Sequence, residues 1–104
     1  MGVTWHLSFH PGVWDDAGEA LVYYASVEPE LPGRFLTELQ SVFRFVGQYP
    51  NAGAQLHRTF RRVALRRFPY LVCYRVADGT VRIVAIVHAR RDPSAVRRDL
   101  EQRA

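Results

Sequence analysis

The side chains that could do chemistry are concentrated in the second half of the chain, and most of them are arginines. Residues 1–50 carry two arginines against six acids, whereas residues 51–104 carry twelve arginines against four acids. Nine of these arginines lie between Arg58 and Arg91, where Asp78 is the one acid. Guanidinium groups stay charged and match the geometry of carboxylates and phosphates, so the cluster predicts a surface that meets an acidic partner. A merely solvated basic face is the alternative.

Few other side chains are candidates for catalysis. His88 follows an apolar run and stands beside Arg90 and Arg91, where an imidazole could move a proton, although a structural role is the alternative. Cys73 is the single cysteine, which excludes an internal disulfide framework. Its apolar neighbours indicate a small buried hydrophobe. The histidines outside this segment have no partner at metal-ligand spacing, and no glycine-rich phosphate loop is present. We therefore expect neither a metal nor any other cofactor.

Length and composition restrict the class of protein. A chain of 104 residues with 48% hydrophobic and 23% charged residues is typical of one globular domain, so we expect residues 1–104 to form a single domain. No apolar run reaches the roughly 20 residues that cross a bilayer. The N-terminal MGVTWHLSFH lacks the basic-then-apolar pattern of a signal peptide. We expect a cytoplasmic protein that does not engage a membrane.

The first half of the chain predicts a strand and a pair of helices. TWHLSF, residues 4–9, alternates weakly and predicts a short first strand. A helix is expected from Pro11, because Pro favours the first helical position. Its expected buried stripe is Trp14, Ala17, Leu21 and Tyr24. A second helix is expected from the ELPG segment to Gly47, with Phe35, Leu39, Val42, Phe43 and Val46 at helical spacing. The short link between them predicts an antiparallel helical hairpin.

The second half predicts a three-stranded meander after the polar loop NAGAQ. FRRVALRRF, residues 60–68, fits a strand with Val63 and Leu65 on one face and Arg62, Ala64 and Arg66 on the other. PYLVCYRV, residues 69–76, is the second strand, and Asp78-Gly79 is a strong hairpin signal before TVRIVAIVHA. PSAVRRDLEQRA predicts a short charged C-terminal helix that begins at Pro93 and Ser94. The expected fold is α+β, with a short N-terminal strand and a helical hairpin packed on a small antiparallel sheet, in the order β-α-α-β-β-β.

A two-residue turn at Asp78-Gly79 also predicts which residues face each other. On the side expected to pack against the helical hairpin, the predicted pairs are Val76 with Val81, Tyr74 with Ile83, Val72 with Ala85, and Tyr70 with Val87. On the opposite side they are Leu71 with Ile86, Cys73 with Val84, and Arg75 with Arg82. That second face is apolar in its middle, so we expect either the C-terminal tail or a partner to cover it. An acidic partner would also relieve the repulsion between the paired arginines.

The order of the elements and the amino-acid sequence of the second half resemble the ParE/RelE superfamily of type II toxins. The resemblance is carried by Tyr23-Tyr24, by RFL at 34–36, by YPNAG at 49–53, by RRVALRRFPYLVCYRV at 61–76 and by IVHARRDP at 86–93. It covers nearly the whole chain and is most similar to the ParE-like, plasmid-stabilisation branch. It implies a cytoplasmic toxin that inhibits growth when a cognate antitoxin is lost. The antitoxin's C-terminal part is expected to wrap over the toxin.

The superfamily implies two different activities. ParE-like members are regarded as inhibitors that bind DNA gyrase, whereas RelE-like members are ribonucleases that cut mRNA on the ribosome. On the nuclease pattern, the candidate catalytic groups of this chain are Arg62, His88 and Arg90. Three positions depart from that pattern, because Leu71 replaces an arginine, Ala64 a base and Val96 a tyrosine. We therefore expect a gyrase inhibitor that is not an enzyme, with the mRNA endoribonuclease as the alternative.

Two surfaces follow as predictions. The antitoxin is expected to cover the second face of the sheet, contacting Leu71, Cys73, Arg75, Arg82, Val84 and Ile86. The target, DNA gyrase, is expected to meet the basic residues at the strand ends, namely Arg66, Arg67, His88, Arg90 and Arg91. For Arg91, the alternative is a local pairing with Asp92 that anchors the tail. We expect no small-molecule substrate.

Overall fold

Three helices and five strands make up residues 5–104, the part of the chain that the computed structural model describes. Thr4, which the sequence places in the first strand, lies outside the described residues. The elements, in chain order, are β1 (His6–Phe9), α1 (Gly12–Val27), α2 (Leu31–Gln48), β2 (Ala54–His57), β3 (Phe60–Ala64), β4 (Tyr70–Ala77), β5 (Thr80–His88) and α3 (Pro93–Arg103). Within residues 5–104, no helix is both long enough and apolar enough to cross a bilayer.

All five strands join one sheet in the order β1-β5-β4-β3-β2. β1 runs parallel to β5, and the other neighbours are antiparallel. The predicted α+β class and the helical hairpin are confirmed. The sheet is nevertheless mixed rather than purely antiparallel, because the long connection between β1 and β5, made of α1, α2 and β2 to β4, brings β5 back in the same direction as β1.

The sheet also contains a strand that the sequence did not predict. Part of the segment read as a polar loop forms β2, which pairs with β3 through an irregular register between Gln55 and His57. The turn between the two strands places Arg58 at a φ of 53°. Positive φ is unusual for an arginine, and hairpin turns that need it usually carry Gly or Asn. Because this turn carries Arg58 instead, the sequence contained no clear signal for the hairpin.

The helical hairpin packs its apolar stripes on one face of the sheet. The α2 residues are buried or half-buried as predicted. In α1 the buried residues are Val13, Ala17, Ala20 and Tyr24, while Leu21 is half-buried. The prediction for Trp14 is wrong, since 56% of it is exposed. Its ring instead lies beside Phe9, with 5.1 Å between centroids, because the smaller Val13 occupies the position against the sheet.

An aromatic cluster fixes one end of the helical hairpin, where α1 connects to α2, on the sheet. The ring of Phe68 contacts Tyr24 and Phe35 edge-on, at centroid separations of 4.9 Å and 5.3 Å. Tyr70 lies 5.4 Å from Phe35 in a similar arrangement. Such geometries are favourable beyond the apolar area they bury. The loop that carries Phe68 is therefore tied to both helices.

A buried tyrosine hydroxyl holds the YPNAG loop after α2. The Tyr74 hydroxyl donates to the Pro50 carbonyl at 2.8 Å and accepts from the Gly53 N–H at 3.0 Å. The Arg61 guanidinium donates to the Gly53 carbonyl at 2.8 Å. A Cβ on residue 53 would collide with the Tyr74 hydroxyl, so this position requires glycine.

The β4–β5 hairpin follows the predicted register only near its turn. Asp78 and Gly79 adopt φ values of 52° and 74°, as a two-residue turn requires, and Val76–Val81 and Tyr74–Ile83 pair as predicted. An irregularity between Cys73 and Tyr74 then shifts the partners by one residue, so that the observed pairs are Cys73 with Ala85, Val72 with Ile86, Leu71 with Val87, and Tyr70 with His88. The predicted pairs beyond Tyr74 are wrong, because Val84 is an additional residue in β5.

The bulge changes which side chains share a face. Ile86 packs in the cluster under the helical hairpin, so its predicted place on the second face is wrong. Cys73 and Val84 do lie on that second face, in a cluster completed by Val96 and Leu100 of α3. Of the two covers left open by the sequence, the C-terminal tail is the one that the structure shows.

Candidate target-binding surface

The basic segments predicted to meet the target lie at one end of the sheet. Tyr70, at the start of β4, pairs with His88 at the end of β5. The Ala89 N–H donates to the Pro69 carbonyl at 2.7 Å, which joins the β3–β4 loop to the segment after β5. The structure therefore brings the Arg66-Arg67 pair and the His88–Arg91 segment to the same end of the sheet, called here the basic end.

A carboxylate from α2 fixes the backbone of the arginine loop. Oε1 of Glu38 accepts hydrogen bonds from the N–H groups of Arg66 and Arg67, at 2.6 Å and 3.0 Å. Charge-assisted bonds of this kind are among the stronger ones in proteins. Phe68 is buried next to this pair, while both arginine side chains are exposed. The loop thus presents two guanidinium groups from a backbone held on both sides.

His88 organises the end of β5. Its Nδ1 accepts from the Arg90 N–H at 3.1 Å, which leaves the ring proton on Nε2 in the neutral form. The half-buried ring lies edge-on to Tyr70 at 5.2 Å. Burial raises the pKa of Tyr70, and the neighbouring Tyr23 and Glu19 add to the rise. These contacts support the structural role for His88. The Arg90 side chain is exposed and forms no ion pair among the described residues.

Arg91 has a partner within the chain. Its guanidinium meets the Asp99 carboxylate of α3 at 2.5 Å. Asp92, the partner suggested by the sequence, instead caps α3 by accepting from the Ser94 N–H and hydroxyl at 3.4 Å and 2.7 Å. These bonds hold the pKa of Asp92 below its ordinary value. The tail-anchoring alternative for Arg91 is therefore supported, although through Asp99.

A second ion pair closes α3 over the edge of β5. Phe9, the last residue of β1, pairs with Ile83, so no strand of residues 5–104 lies beside β5 on that side beyond this point. There the Arg103 guanidinium donates to the Val84 carbonyl at 3.0 Å, and Asp16 accepts from the Ile86 N–H at 3.0 Å. Arg103 and Asp16 also bond to each other at 2.7 Å and 3.1 Å. The pair thus forms hydrogen bonds with the Val84 carbonyl and the Ile86 N–H, which on this side have no strand of the described residues to bond with.

The residues predicted to bind the antitoxin are mostly covered. Cys73, Val84 and Ile86 are at most 4% exposed, and Leu71 is half-buried. Burial raises the pKa of the Cys73 thiol to about 12, as expected for an inert hydrophobe. Arg75 and Arg82 pair as predicted and are half-buried. Arg82 is held by the Ser8 hydroxyl at 3.2 Å.

The candidate ribonuclease residues do not converge. Arg62 lies on the same face of β3 as Phe60, which belongs to the cluster under α3. His88 contacts Tyr70, which packs on the cluster under the helical hairpin. Arg62 and His88 therefore project from opposite faces of the sheet. One phosphodiester could not contact both side chains in this arrangement.

Two surface features were not predicted. One is a groove between α2 and the arginine loop, where Arg34 lies near Arg66 and Arg67. The other is an apolar groove on the outside of the helical hairpin, lined by Phe9, Trp14, Leu21, Leu36 and Phe43 among others. Nothing in the sequence signalled the second groove, because helical spacing predicted that Trp14, Leu21 and Phe43 would be buried. Arg34 gave no signal for the first, because its proximity to the loop arises only from tertiary packing.

Comparison with known proteins decides the family. The family model described as ParE toxin of type II toxin-antitoxin system, parDE, matches residues 7–93. The chain belongs to this family. Toxin ParE2 from Mycobacterium tuberculosis, in strain CDC 1551 / Oshkosh and in strain H37Rv, is 36% identical over 102 residues, which is 97% of each chain. The superfamily recognised from the sequence is thereby confirmed.

A solved structure supports the same fold. A chain from the chromosomal ParDE TA system from P. aeruginosa superposes with a TM-score of 0.74 at 19% identity. The match covers 84% of this chain and 98% of that one. At such low identity the likeness concerns the fold, and the family assignment depends on the two sequence comparisons. Membership of a toxin-antitoxin family also implies an antitoxin partner.

Proposed function

We propose that this ParE toxin inhibits growth by binding DNA gyrase through the basic end of its sheet. The observation that carries the proposal is the placement of Arg66, Arg67 and Arg90 together at the basic end of the sheet. All three are exposed, and their side chains form no ion pair among the described residues. A rigid sheet that presents free guanidinium groups suits recognition of carboxylates or phosphates. Gyrase itself is inferred from the family.

Inhibition by binding is favoured over catalysis on chemical grounds. RNA cleavage needs one group to take a proton and another to return it, in addition to cations that hold the phosphate. The basic end is rich in arginine, which stays protonated. His88, the one candidate for proton transfer there, uses Nδ1 to hold the Arg90 backbone and lies on the opposite face from Arg62. The ribonuclease alternative therefore lacks an assembled site.

A supercoiling assay with purified gyrase tests the proposal. Wild-type protein should block supercoiling or trap cleaved DNA, and Arg90→Ala combined with Arg66→Ala and Arg67→Ala should do neither. A control is Arg97→Ala with Arg98→Ala, which removes two exposed arginines from α3 and should still inhibit. Normal supercoiling at concentrations well above those that arrest growth would exclude gyrase as the target.

Arg91 needs a control of its own because of its partner in α3. If Arg91 acts only by anchoring the tail, Asp99→Asn should reproduce the effect of Arg91→Ala on inhibition, since both break the same ion pair. If Arg91 contacts gyrase directly, only Arg91→Ala should weaken inhibition. Primer extension on mRNA from intoxicated cells addresses the alternative function. Codon-specific cuts that disappear with Arg90→Ala would replace gyrase inhibition by ribonuclease activity.

For the antitoxin, we propose that Arg75 and Arg82 are the accessible part of the interface predicted from the sequence. They lie opposite each other near the β4–β5 turn and are half-buried with α3 in place. Cys73 and Val84 would become available only if α3 left the sheet, whereas Ile86 packs under the helical hairpin. Replacing Arg75 and Arg82 with Ala should lower the affinity for the cognate antitoxin, measured by calorimetry. Unchanged affinity would place the interface elsewhere.

A further inference from the structure

The groove between the start of α2 and the β3–β4 loop combines three arginines with a fixed backbone. It is lined by Arg34 of α2 and by Arg66 and Arg67 of the loop, together with Glu30 and Glu38. The three arginine side chains have no carboxylate within ion-pair distance among residues 5–104. We propose that this groove binds the phosphate backbone of double-stranded DNA, independently of any contact with gyrase.

The groove is constructed so that its arginines are held near one another. Arg34 lies in the first turns of α2, where the partial positive charge of the helix N-terminus adds to its own. Arg66 and Arg67 come from a loop whose two N–H groups both bond to Oε1 of Glu38, one turn further along the same helix. Glu38 thus acts as a positioning residue that links the two walls of the groove. Its negative charge is engaged by the loop backbone.

The lining of the groove favours a phosphate backbone over a protein segment inserted into the groove, which differs from a contact of gyrase with the exposed arginines at the strand ends. A protein interface obtains most of its affinity from apolar or aromatic anchors that fill pockets. In this groove Phe68 is buried and Leu31 is half-buried, so little apolar surface is available for an anchor. Trp14 and Leu36, two of the large exposed hydrophobic residues, line the apolar groove on the helical hairpin instead. Cations that hydrogen-bond to phosphate oxygens bind a nucleic acid backbone without such anchors.

The same lining favours a duplex over a single strand. Proteins that bind unpaired bases present aromatic side chains on which the bases stack. None of the residues that line the groove is an exposed aromatic one. The groove can therefore contact the outside of a double helix, but it has no platform for bases. We expect weak, sequence-independent binding, with a dissociation constant on the order of 10⁻⁵ M at physiological salt.

Fluorescence anisotropy with a short labelled DNA duplex and no gyrase tests the inference. The affinity should fall as NaCl rises, and the log–log slope for Arg34→Ala, Arg66→Ala, Arg67→Ala should be smaller by about 2 to 3 than for the wild type. The control Arg97→Ala, Arg98→Ala removes exposed arginines elsewhere and should keep most of the slope. Equal losses of slope per arginine removed in the two variants would show that the positive charge acts without a specific groove and would overturn the inference.

Variants of the two glutamates separate a built site from net charge. Glu30→Gln removes a charge from the groove wall and should tighten DNA binding. Glu38→Gln keeps an oxygen that can accept from the loop and should bind DNA at least as tightly as the wild type. Glu38→Ala removes the same charge but frees the loop, so it should bind more weakly. Tighter binding by Glu38→Ala, or a preference for single-stranded RNA or an acidic peptide over the duplex, would contradict the inference.

Discussion

Replacing Asp16 with alanine should destabilise the protein more than its position in the first turns of a surface helix suggests. Asp16 bonds to the Arg103 guanidinium through both carboxylate oxygens and also accepts from the Ile86 N–H. It therefore connects α1, the free edge of β5 and α3. The substitution would leave Arg103 without its carboxylate and Ile86 without an acceptor.

The magnitude follows from the burial of the pair. Removing one partner of a fully buried ion pair costs about 3–5 kcal/mol, whereas an exposed pair contributes about 1 kcal/mol or less. The side chains of Asp16 and Arg103 are 18% and 22% exposed, between these cases. We expect Asp16→Ala to lower the free energy of unfolding by about 2–3 kcal/mol. For a domain of this size, that corresponds to a fall in Tm of roughly 10–20 °C.

Urea unfolding of four proteins measures this effect: wild type, Asp16→Ala, Arg103→Ala and the double variant. The double-mutant cycle should give a coupling free energy of about 1–2 kcal/mol. Asp15→Ala is the matched control, since Asp15 is exposed and makes no ion pair within the described residues. It should change stability by about 0.5 kcal/mol or less. If Asp16→Ala and Asp15→Ala unfold at the same urea concentration, the role given to Asp16 is refuted.

Three further predictions concern stability, reactivity and pH. Tyr74→Phe should cost about 1–3 kcal/mol in urea unfolding, because it leaves buried backbone groups of Pro50 and Gly53 without a partner; an unchanged midpoint would contradict this. Because burial raises the pKa of Cys73 to about 12, thiol reagents at mildly alkaline pH should modify it only as fast as the protein unfolds, and reaction at the rate of a free thiol would show otherwise. The pKa of Asp92 is depressed from 3.8 mainly by the Ser94 hydroxyl, so its stabilisation of α3 is present above pH 3.8 and is lost as the pH falls through the lower folded value. NMR shifts of α3 amides should report this loss, and Asp92→Asn, which keeps an acceptor, should remove the pH dependence.

Sequence patterns predicted the elements whose signals are local. The stripe of α2, the Asp78-Gly79 turn and the start of α3 at Pro93 each depend on residues close together in the chain, and each is confirmed. The position of β1 could not be predicted in the same way. Its parallel pairing with β5 joins residues such as Phe9 and Ile83, which are far apart in sequence.

The register error has a definite physical cause. β5 is buried on both faces, by the helical hairpin and by α3. Its residues from Ile83 to Val87 are all apolar, so no polar position marks which side chain faces which way. Such a run is compatible with either register, and the bulge at Val84 carries no glycine to signal it. The misplacement of Ile86 follows directly from this ambiguity.

The candidate site was predictable in composition but not in geometry. The clustering of arginines predicted a basic surface, and Arg66, Arg67 and Arg90 are exposed. The partners that fix the basic end were not predictable, because Glu38 is 28 residues from Arg66 along the chain. The pairing of Arg91 with Asp99 likewise required knowing that α3 folds back onto the sheet. Charge patterns indicate what a surface contacts, whereas its positioning residues come from the fold.

The central claim is that this chain is a growth-inhibiting toxin held in check by a cognate antitoxin. The most direct measurement is the viability of cells that express the chain from an inducible promoter, with and without the neighbouring antitoxin gene, while the level of folded protein is monitored. We predict that growth stops on induction and that co-expression of the antitoxin restores it. Normal growth in cells that accumulate the folded chain without the antitoxin would contradict the account.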